Sequence, residues 1–277
     1  MTEVVNTDQQ EFWSGPSGLS WIEDADIMDS IFINVVRLLR ERAGDVAGRD
    51  VLDIGCGTGA VSLSFADAGA RVLASDISAP MLAEAERRGA GRIEIMLGDA
   101  QVAQWPRRFD LITSRFGVMF FEDTRAAFEN IAKGLKPNGR IVFAAWGPFE
   151  DNIWWVRQRD LACDVLGIEP ETRDPHAPGP MGLSDVEWSL AQMAVPGLSN
   201  VACERIELMM SFKGSAELVA QQALRIGSGA KLLLAHQATE VQRTNYAAGI
   251  AEAFREFETG DGTFVPAQLN LFTAQAA

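Results

Sequence analysis

Cysteine, histidine and tyrosine are scarce, with three, two and one in 277 residues. Cys56, Cys163 and Cys203 are odd in number, lie far apart and form no C-x-x-C pair. That spacing argues against a zinc site or a disulfide framework and fits a reducing compartment. Positive charge is scarce too, with 24 Lys and Arg against 38 Asp and Glu and a formal net charge of -14. The longest basic clusters are the pairs Arg87-Arg88 and Arg107-Arg108. A polyanion would approach against that field, so nucleic acid is not expected as a partner. No apolar run reaches membrane length, and Met1 to Gln10 lacks the basic flank and apolar centre of a secretion signal. The expectation is a soluble, cytoplasmic protein with neither a membrane span nor a bound metal.

What the chain does have is glycine, concentrated in one place. Val51-Leu52-Asp53-Ile54 reads as a short buried strand that runs into Gly55-Cys56-Gly57-Thr58-Gly59 and then into an apolar, helix-like stretch from Ala60 to Ala68. A strand that turns sharply into a helix needs glycine where φ is positive or where a ligand comes close. The helix start presents unpaired N–H groups and the positive end of its dipole. The stretch predicts a nucleotide- or nucleoside-binding loop at the first strand of an α/β sheet, with a plain glycine turn as the alternative.

Further units follow in order. Arg71 to Ser75 is a second strand ending at Asp76, and Ser78 caps a helix that starts near Pro80. A carboxylate roughly 20 residues past such a glycine turn lies where it accepts from ribose hydroxyls; otherwise Asp76 is a helix cap. Ile93 to Leu97 is a third strand followed by Gly98-Asp99-Ala100, which puts Asp99 on the same rim, in place to accept from the exocyclic amine of a base. Phe109 to Ser114 is a fourth strand that opens into the aromatic-rich Arg115-Phe116-Gly117-Val118-Met119-Phe120-Phe121. A helix from Thr124 to Leu135 stops at the turn Lys136-Pro137-Asn138-Gly139, and Arg140 to Trp146 is a fifth strand.

The run VLDIGCGTG, then Asp76, GDA, FDLITSRFGVMFF and LKPNGRIVF, spread over about residues 50 to 146, resembles the class I S-adenosylmethionine-dependent methyltransferases in their small-molecule branch. The resemblance implies a Rossmann-like, seven-stranded, mostly parallel sheet with an antiparallel last strand, helices on both faces and a helical lid. It implies transfer of a methyl group from S-adenosyl-L-methionine to a small, partly apolar metabolite, leaving S-adenosyl-L-homocysteine. It further implies that Gly55, Gly57 and Gly59 pass close to the methionine portion while Asp53 organises its amino group. Asp76 would take the ribose hydroxyls, Ile77 would pack on the adenine, and Asp99 and Ala100 would meet its edge. Ser114 and Arg115 would bring backbone carbonyls to the ammonium. Gly55-x-Gly57-x-x-Ala60 also meets the looser dinucleotide pattern, so an NAD(P)-dependent oxidoreductase is one alternative; Gly59 and the GDA and KPNG segments argue against it. A cofactor-binding sensor or partner subunit without turnover is another.

The expected organisation is one methyltransferase domain over 1–277. It comprises an N-terminal helical or lid segment (1–48), a cofactor-binding core (49–147) and a C-terminal half (148–277) with a helical cap near 214–258. One helix is expected from Ile27 to Arg42, and two in the cap, from Ser215 to Gly227 and from Lys231 to Phe257. Val201 to Phe212 and Phe264 to Thr273 read as antiparallel partners, and the resemblance makes them the last strands of the sheet. A dry aromatic pocket suits methyl transfer, and Trp13, Trp21, Phe116, Phe120, Trp154 and Trp155 are candidates to line it, the first four as acceptor contacts. Whether a base is needed depends on the acceptor. His176, in a proline-rich loop, is the candidate; His236 and Tyr246 read equally well as structural.

Overall fold

The protein is described by a computed structural model covering residues 4–172 and 174–277. Four helices come first: α1 (Thr7–Ser14), α2 (Pro16–Glu23), α3 (Ala25–Ile31) and α4 (Ile33–Ala43). Strands and helices then alternate as β1 (Asp50–Ile54), α5 (Ala60–Asp67), β2 (Arg71–Asp76), α6 (Ala79–Gly89) and β3 (Glu94–Leu97). They continue as β4 (Phe109–Arg115), α7 (Thr124–Ala132), β5 (Leu135–Trp146), α8 (Ile153–Leu166), α9 (Val186–Met193) and β6 (Leu198–Phe212). The cap helices α10 (Ala216–Ala223), α11 (Ser228–Ala235) and α12 (Glu240–Phe254) precede the short β7 (Glu258–Thr259) and the long β8 (Gly262–Ala276).

The sheet runs β3-β2-β1-β4-β5-β8-β6, with β7 paired to β8 off this path. β1 to β5 are mutually parallel, and β8 lies antiparallel between β5 and β6. This is the expected Rossmann-like arrangement with an inserted antiparallel last strand. The burial explains the sequence pattern. β1 is buried at all five positions, as a strand covered on both faces must be, whereas edge strand β6 alternates. The buried core is continuous from the sheet through α4 and α8 into the cap.

Three boundaries differ from expectation. The helix expected over Ile27–Arg42 breaks at Phe32 (φ −101°, ψ 17°), whose ring is buried among other aromatics. The helix expected over Lys231–Phe257 is two, because Gln237 takes φ +49° and Thr239 with Gln242 forms a capping box that starts α12. The Lys136-Pro137-Asn138-Gly139 turn lies inside β5 as a bulge. Pairing with β4 jumps from Phe109–Leu135 to Leu111–Arg140, and Asn138 sits at φ +63°.

That bulge places Lys136 over two acids at the amino ends of β1 and β4. Its Nζ lies 2.6 Å from Asp50 Oδ2 and 2.8 Å from Asp110 Oδ2, while Arg71 Nε donates to Asp50 Oδ1 at 2.8 Å. Arg71, and then Lys136, hold the Asp50 carboxyl down to about 2. Stability from a lowered carboxyl is present above its unfolded value near ~3.9 and is lost as pH falls toward the folded one. Lys136→Met is therefore expected to cost about 1–2 kcal/mol in urea unfolding at neutral pH, a half-buried network being partly screened. The difference from the unmodified protein should shrink as pH falls below about 4.

Candidate functional site

The carboxyl ends of β1, β2 and β4 meet at one rim, and the loop from Gly55 to Gly59 crosses it. Gly55, Gly57 and Gly59 have φ of +62°, +55° and +89°, a region that side chains disfavour. A Cβ on Gly55 would lie 2.6 Å from Gly117 Cα, and one on Gly117 would lie 2.6 Å from Ile54 O. The loop and the end of β4 cross at backbone distance, which only glycine permits. Gly117 escaped the sequence reading, although a glycine directly after a strand end was the available signal. A Cβ on Gly57 would meet nothing within 4 Å, so the loop has open space beside it there.

Strand register fixes which side chains share this site. Asp53 pairs with Thr113 across β1 and β4, so Asp53, Thr113 and Arg115 lie on one face of the sheet. Asp53 is 1% exposed; its Oδ2 accepts from Ser62 Oγ at 2.6 Å, and its Oδ1 has no partner among the described residues. Thr58 Oγ1, Thr113 Oγ1 and Arg115 Nη1 are likewise buried without partners. Native interiors leave few polar atoms so, and a concentration of them marks a site for a polar ligand. Burial pushes the Asp53 carboxyl up to about 7, opposed by the Ser62 hydrogen bond and the Arg115 charge and reinforced by Asp76. The Cys56 thiol beside them is pushed up by burial and by both acids, so it stays protonated and inert.

Asp76 closes the loop from the other side. Its Oδ2 accepts from Gly57 N–H at 2.8 Å and its Oδ1 from Ser78 N–H at 2.9 Å. Burial raises its carboxyl, against those backbone hydrogen bonds. Two bonds leave acceptor capacity on a carboxylate that has about four lone-pair directions. Ile77 beside it is partly exposed.

Asp99 departs from the sequence reading. Its carboxylate, 1% exposed, accepts from Val5 N–H and Asn6 N–H at 2.9 Å each, from Asn6 Nδ2 at 2.8 and 3.0 Å, and from Gln101 N–H at 3.0 Å. Those donors exhaust its lone pairs, so the group expected at an adenine edge instead ties down the N-terminal segment. Asn6 Oδ1 also accepts from Glu122 N–H, and Trp13 O accepts from Ser78 Oγ. Ala100 has its carbonyl on Asn130 Nδ2. Ser114 Oγ donates to Ile54 O at 2.7 Å and accepts from Gly117 N–H, which fixes the crossing of the two backbones.

The aromatic candidates assemble in part. Trp13 meets Trp21 and Phe120 edge-on, Trp21 stacks on Phe32, Phe32 meets Phe116, and Phe116 stacks on Trp146 at 5.0 Å. Trp155 meets the edge of Trp146, whereas Trp154 packs with Phe212 and Phe254 under the cap. Phe32 and Trp146 were missed because both sit in segments that read as ordinary core. His176 is not brought to the glycine loop: its Nε2 lies 3.1 Å from Asp185 Oδ2 and its ring stacks on Trp188. Tyr246 is fully buried, with its hydroxyl 3.3 Å from both Gln158 Oε1 and Ala223 O, and burial pushes its phenol up. His236 caps the end of α11 at the surface. Among the described residues, no cluster of His, Cys, Asp or Glu could hold a metal, and no helix is long and apolar enough to cross a membrane.

With this geometry in place, comparison with known proteins is direct. A family profile described as a methyltransferase domain matches residues 51–139. The chain is 30% identical over 185 residues to a ubiquinone biosynthesis O-methyltransferase of Idiomarina loihiensis, covering 63% of this chain and 75% of that protein. It is 38% identical over 108 residues to a cypemycin N-terminal methyltransferase of Streptomyces, covering 37% of this chain and 44% of that one. Against the nocamycin O-methyltransferase of Saccharothrix syringae it is 36% identical over 131 residues, 44% of this chain and 46% of the relative. The chain thus spans about half the length of several curated relatives it matches. Among solved structures, the Haemonchus contortus phosphoethanolamine N-methyltransferase 2 in complex with S-adenosyl-L-methionine shares the fold. Its TM-score is 0.58 at 17% identity, over 99% of this chain and 60% of that one. The chain belongs to the class I S-adenosylmethionine-dependent methyltransferases.

The Asn6–Asp99 contact is testable by itself. Asn6→Ala removes the side-chain donor and acceptor that bridge Asp99 to Glu122, and amide hydrogen exchange across Thr7–Ser14 should accelerate roughly tenfold or more. Exchange in β1, β2 and β4 should stay unchanged.

Proposed function

We propose that the protein transfers a methyl group from S-adenosyl-L-methionine to a small, partly apolar acceptor, as an enzyme with turnover. The observation that carries the reading is the set of buried, unpartnered polar atoms on one sheet face beside a positive-φ glycine loop. The residues fit the cofactor. Asp53 Oδ1 offers an acceptor to an ammonium, Asp76 retains lone pairs for ribose hydroxyls, and the open side of Gly57 admits a close neighbour. On this reading Ile77 and Ala100 would pack on the adenine, and the backbone of Ser114 and Arg115 would meet the amino-acid end. When bound, the cofactor supplies a methyl group already activated on a sulfonium.

The chain then has to align a nucleophile and exclude water. Phe116 and Trp146 are buried and stacked, and with Phe32, Trp21, Trp13 and Phe120 they form an apolar wall that suits a transfer in which charge is dispersed. His176 and Tyr246 are engaged elsewhere, so the acceptor carries its own nucleophilicity: an amine, an acidified carbon, or an already ionised oxygen. The Idiomarina relative, by name an O-methyltransferase of ubiquinone biosynthesis, supports a small-molecule acceptor.

The test is single-turnover transfer from methyl-labelled S-adenosyl-L-methionine to a panel of amines, phenols and carbon acids with aromatic bodies. Labelled product with at least one class, slowed tenfold or more by Trp146→Ala, is expected; label retained in the cofactor with every class argues for a binding protein without turnover. Cofactor affinity should also depend on pH. Because the Asp53 carboxyl sits near about 7 in the unliganded protein, an ammonium must displace its proton below that value. The dissociation constant should rise up to about tenfold per pH unit below 7, and Asp53→Asn should flatten the profile at a uniformly weaker affinity. The sign for stability is opposite. A raised carboxyl stabilises the fold below its unfolded value near ~3.9, and that contribution is lost as pH rises through about 7. Asp53→Asn should accordingly raise the unliganded melting temperature at pH 8, by roughly 2–4 °C.

A further inference from the structure

Arg115 was expected to contribute its backbone, but its side chain holds the unexplained charge of the site. The side chain is 8% exposed, and its Nη1 has no hydrogen-bond partner among the described residues. Its nearest acid is Asp29, whose Oδ1 lies 3.9 Å from Nη2, beyond hydrogen-bond range, and Oδ1 is itself unpartnered. The other oxygen of Asp29 is taken by Arg88, which also donates to Thr58 O in the glycine loop. One half-buried carboxylate thus faces two guanidinium groups and hydrogen-bonds only one of them. A buried cation left so costs stability unless a partner arrives. Burial indeed lowers the Arg115 guanidinium from its ordinary value, opposed by Asp29 and Asp53.

The position says what that partner is. Arg115 and Asp53 share one sheet face at the ends of adjacent parallel strands, and each points an unpartnered atom into the interior, a donor from Arg115 and an acceptor from Asp53. A forked cation beside an anionic acceptor is the complement of an α-amino acid, with carboxylate to one and ammonium to the other. The Phe32 ring, 5.6 Å from the guanidinium carbon, backs the fork. We propose that the Arg115 side chain anchors the α-carboxylate of the cofactor's amino-acid portion, and that Asp29 orients the guanidinium for it. The assignment rests on the S-adenosyl-L-methionine reading and names a binding residue within it. With Asp29 Oδ1 beyond hydrogen-bond range, the donors of Arg115 Nη1 and Nη2 stay available to a ligand carboxylate.

The test compares S-adenosyl-L-homocysteine with its decarboxylated analogue, which keeps the amine, by calorimetric titration of the unmodified protein, Arg115→Met and Arg115→Lys. In the unmodified protein, loss of the carboxylate should weaken binding roughly 10- to 100-fold. In Arg115→Met the two ligands should bind within about twofold of each other. Should Arg115→Met fail to fold, judged by its thermal transition, Arg115→Lys decides: its point charge should cut the discrimination at least threefold, since a lysine cannot make the planar fork. Equal weakening of both ligands, or undiminished discrimination in the variants, would make Arg115 a structural brace and overturn the proposal. Failure of the unmodified protein to bind S-adenosyl-L-homocysteine would instead overturn the cofactor reading itself.

Discussion

A carboxylate taken out of water at the end of a parallel strand is the constraint on which this molecule turns. Asp53, next to the last residue of β1, is 1% exposed and has one oxygen satisfied by Ser62 and the other by no partner among the described residues. Holding it there raises its carboxyl toward neutrality and costs stability at physiological pH. The surroundings make sense as compensation: Ser62 from α5, the Arg115 charge two residues beyond its cross-strand neighbour Thr113, and a glycine loop that brings backbone rather than side chains over it. At the opposite end of the same strand, Asp50 meets the reverse treatment, ringed by Arg71 and Lys136 and held fully ionised. One strand therefore carries a structural acid at its amino end and a poised one at its carboxyl end. The poised one lies on the rim where parallel α/β sheets bind ligands.

The N-terminal helices add a second layer to the rim. Asn6 and the amides of residues 5 and 6 occupy Asp99, while Trp13 bonds Ser78 next to Asp76 and packs on Phe120. Beside these polar anchors runs the chain of ring contacts from Trp13 through Trp21, Phe32 and Phe116 to Trp146. Helix α1, with no buried residue of its own, is held by these localised hydrogen bonds and ring contacts, a kind of attachment that opens locally at far lower cost than the sheet. A reactive methyl donor needs such cover, because water is its most abundant competing acceptor.

The sequence disclosed what is encoded locally. Strand, glycine turn and helix from Val51 to Ala68 are specified by adjacent residues, as are Asp76 with its Ser78 cap and the order of the first five strands. The antiparallel pairing of β6 with β8 was legible through alternation and through likeness to a known family. Contacts that join distant segments were hidden. The role of Asp99 depends on Asn6, 93 residues earlier, and no local pattern announces that a buried asparagine will claim an acid. Arg115 was read for its backbone because the family resemblance implies that role, while its side-chain direction follows from strand register. Phe32 and Trp146 were indistinguishable from core, which is what they also are. The split between α11 and α12 could have been seen in Thr239-x-x-Gln242, whose spacing is that of a capping box.

The measurement closest to the central claim is calorimetric titration of the protein with S-adenosyl-L-methionine and S-adenosyl-L-homocysteine, with NAD and NADP as controls and Asp76→Ala alongside. Binding of both sulfur nucleosides, lost or weakened at least tenfold in the variant, with no heat from either dinucleotide, is the expected outcome. Silence toward both sulfur nucleosides, or a preference for NAD or NADP, would contradict the assignment of this rim to S-adenosyl-L-methionine.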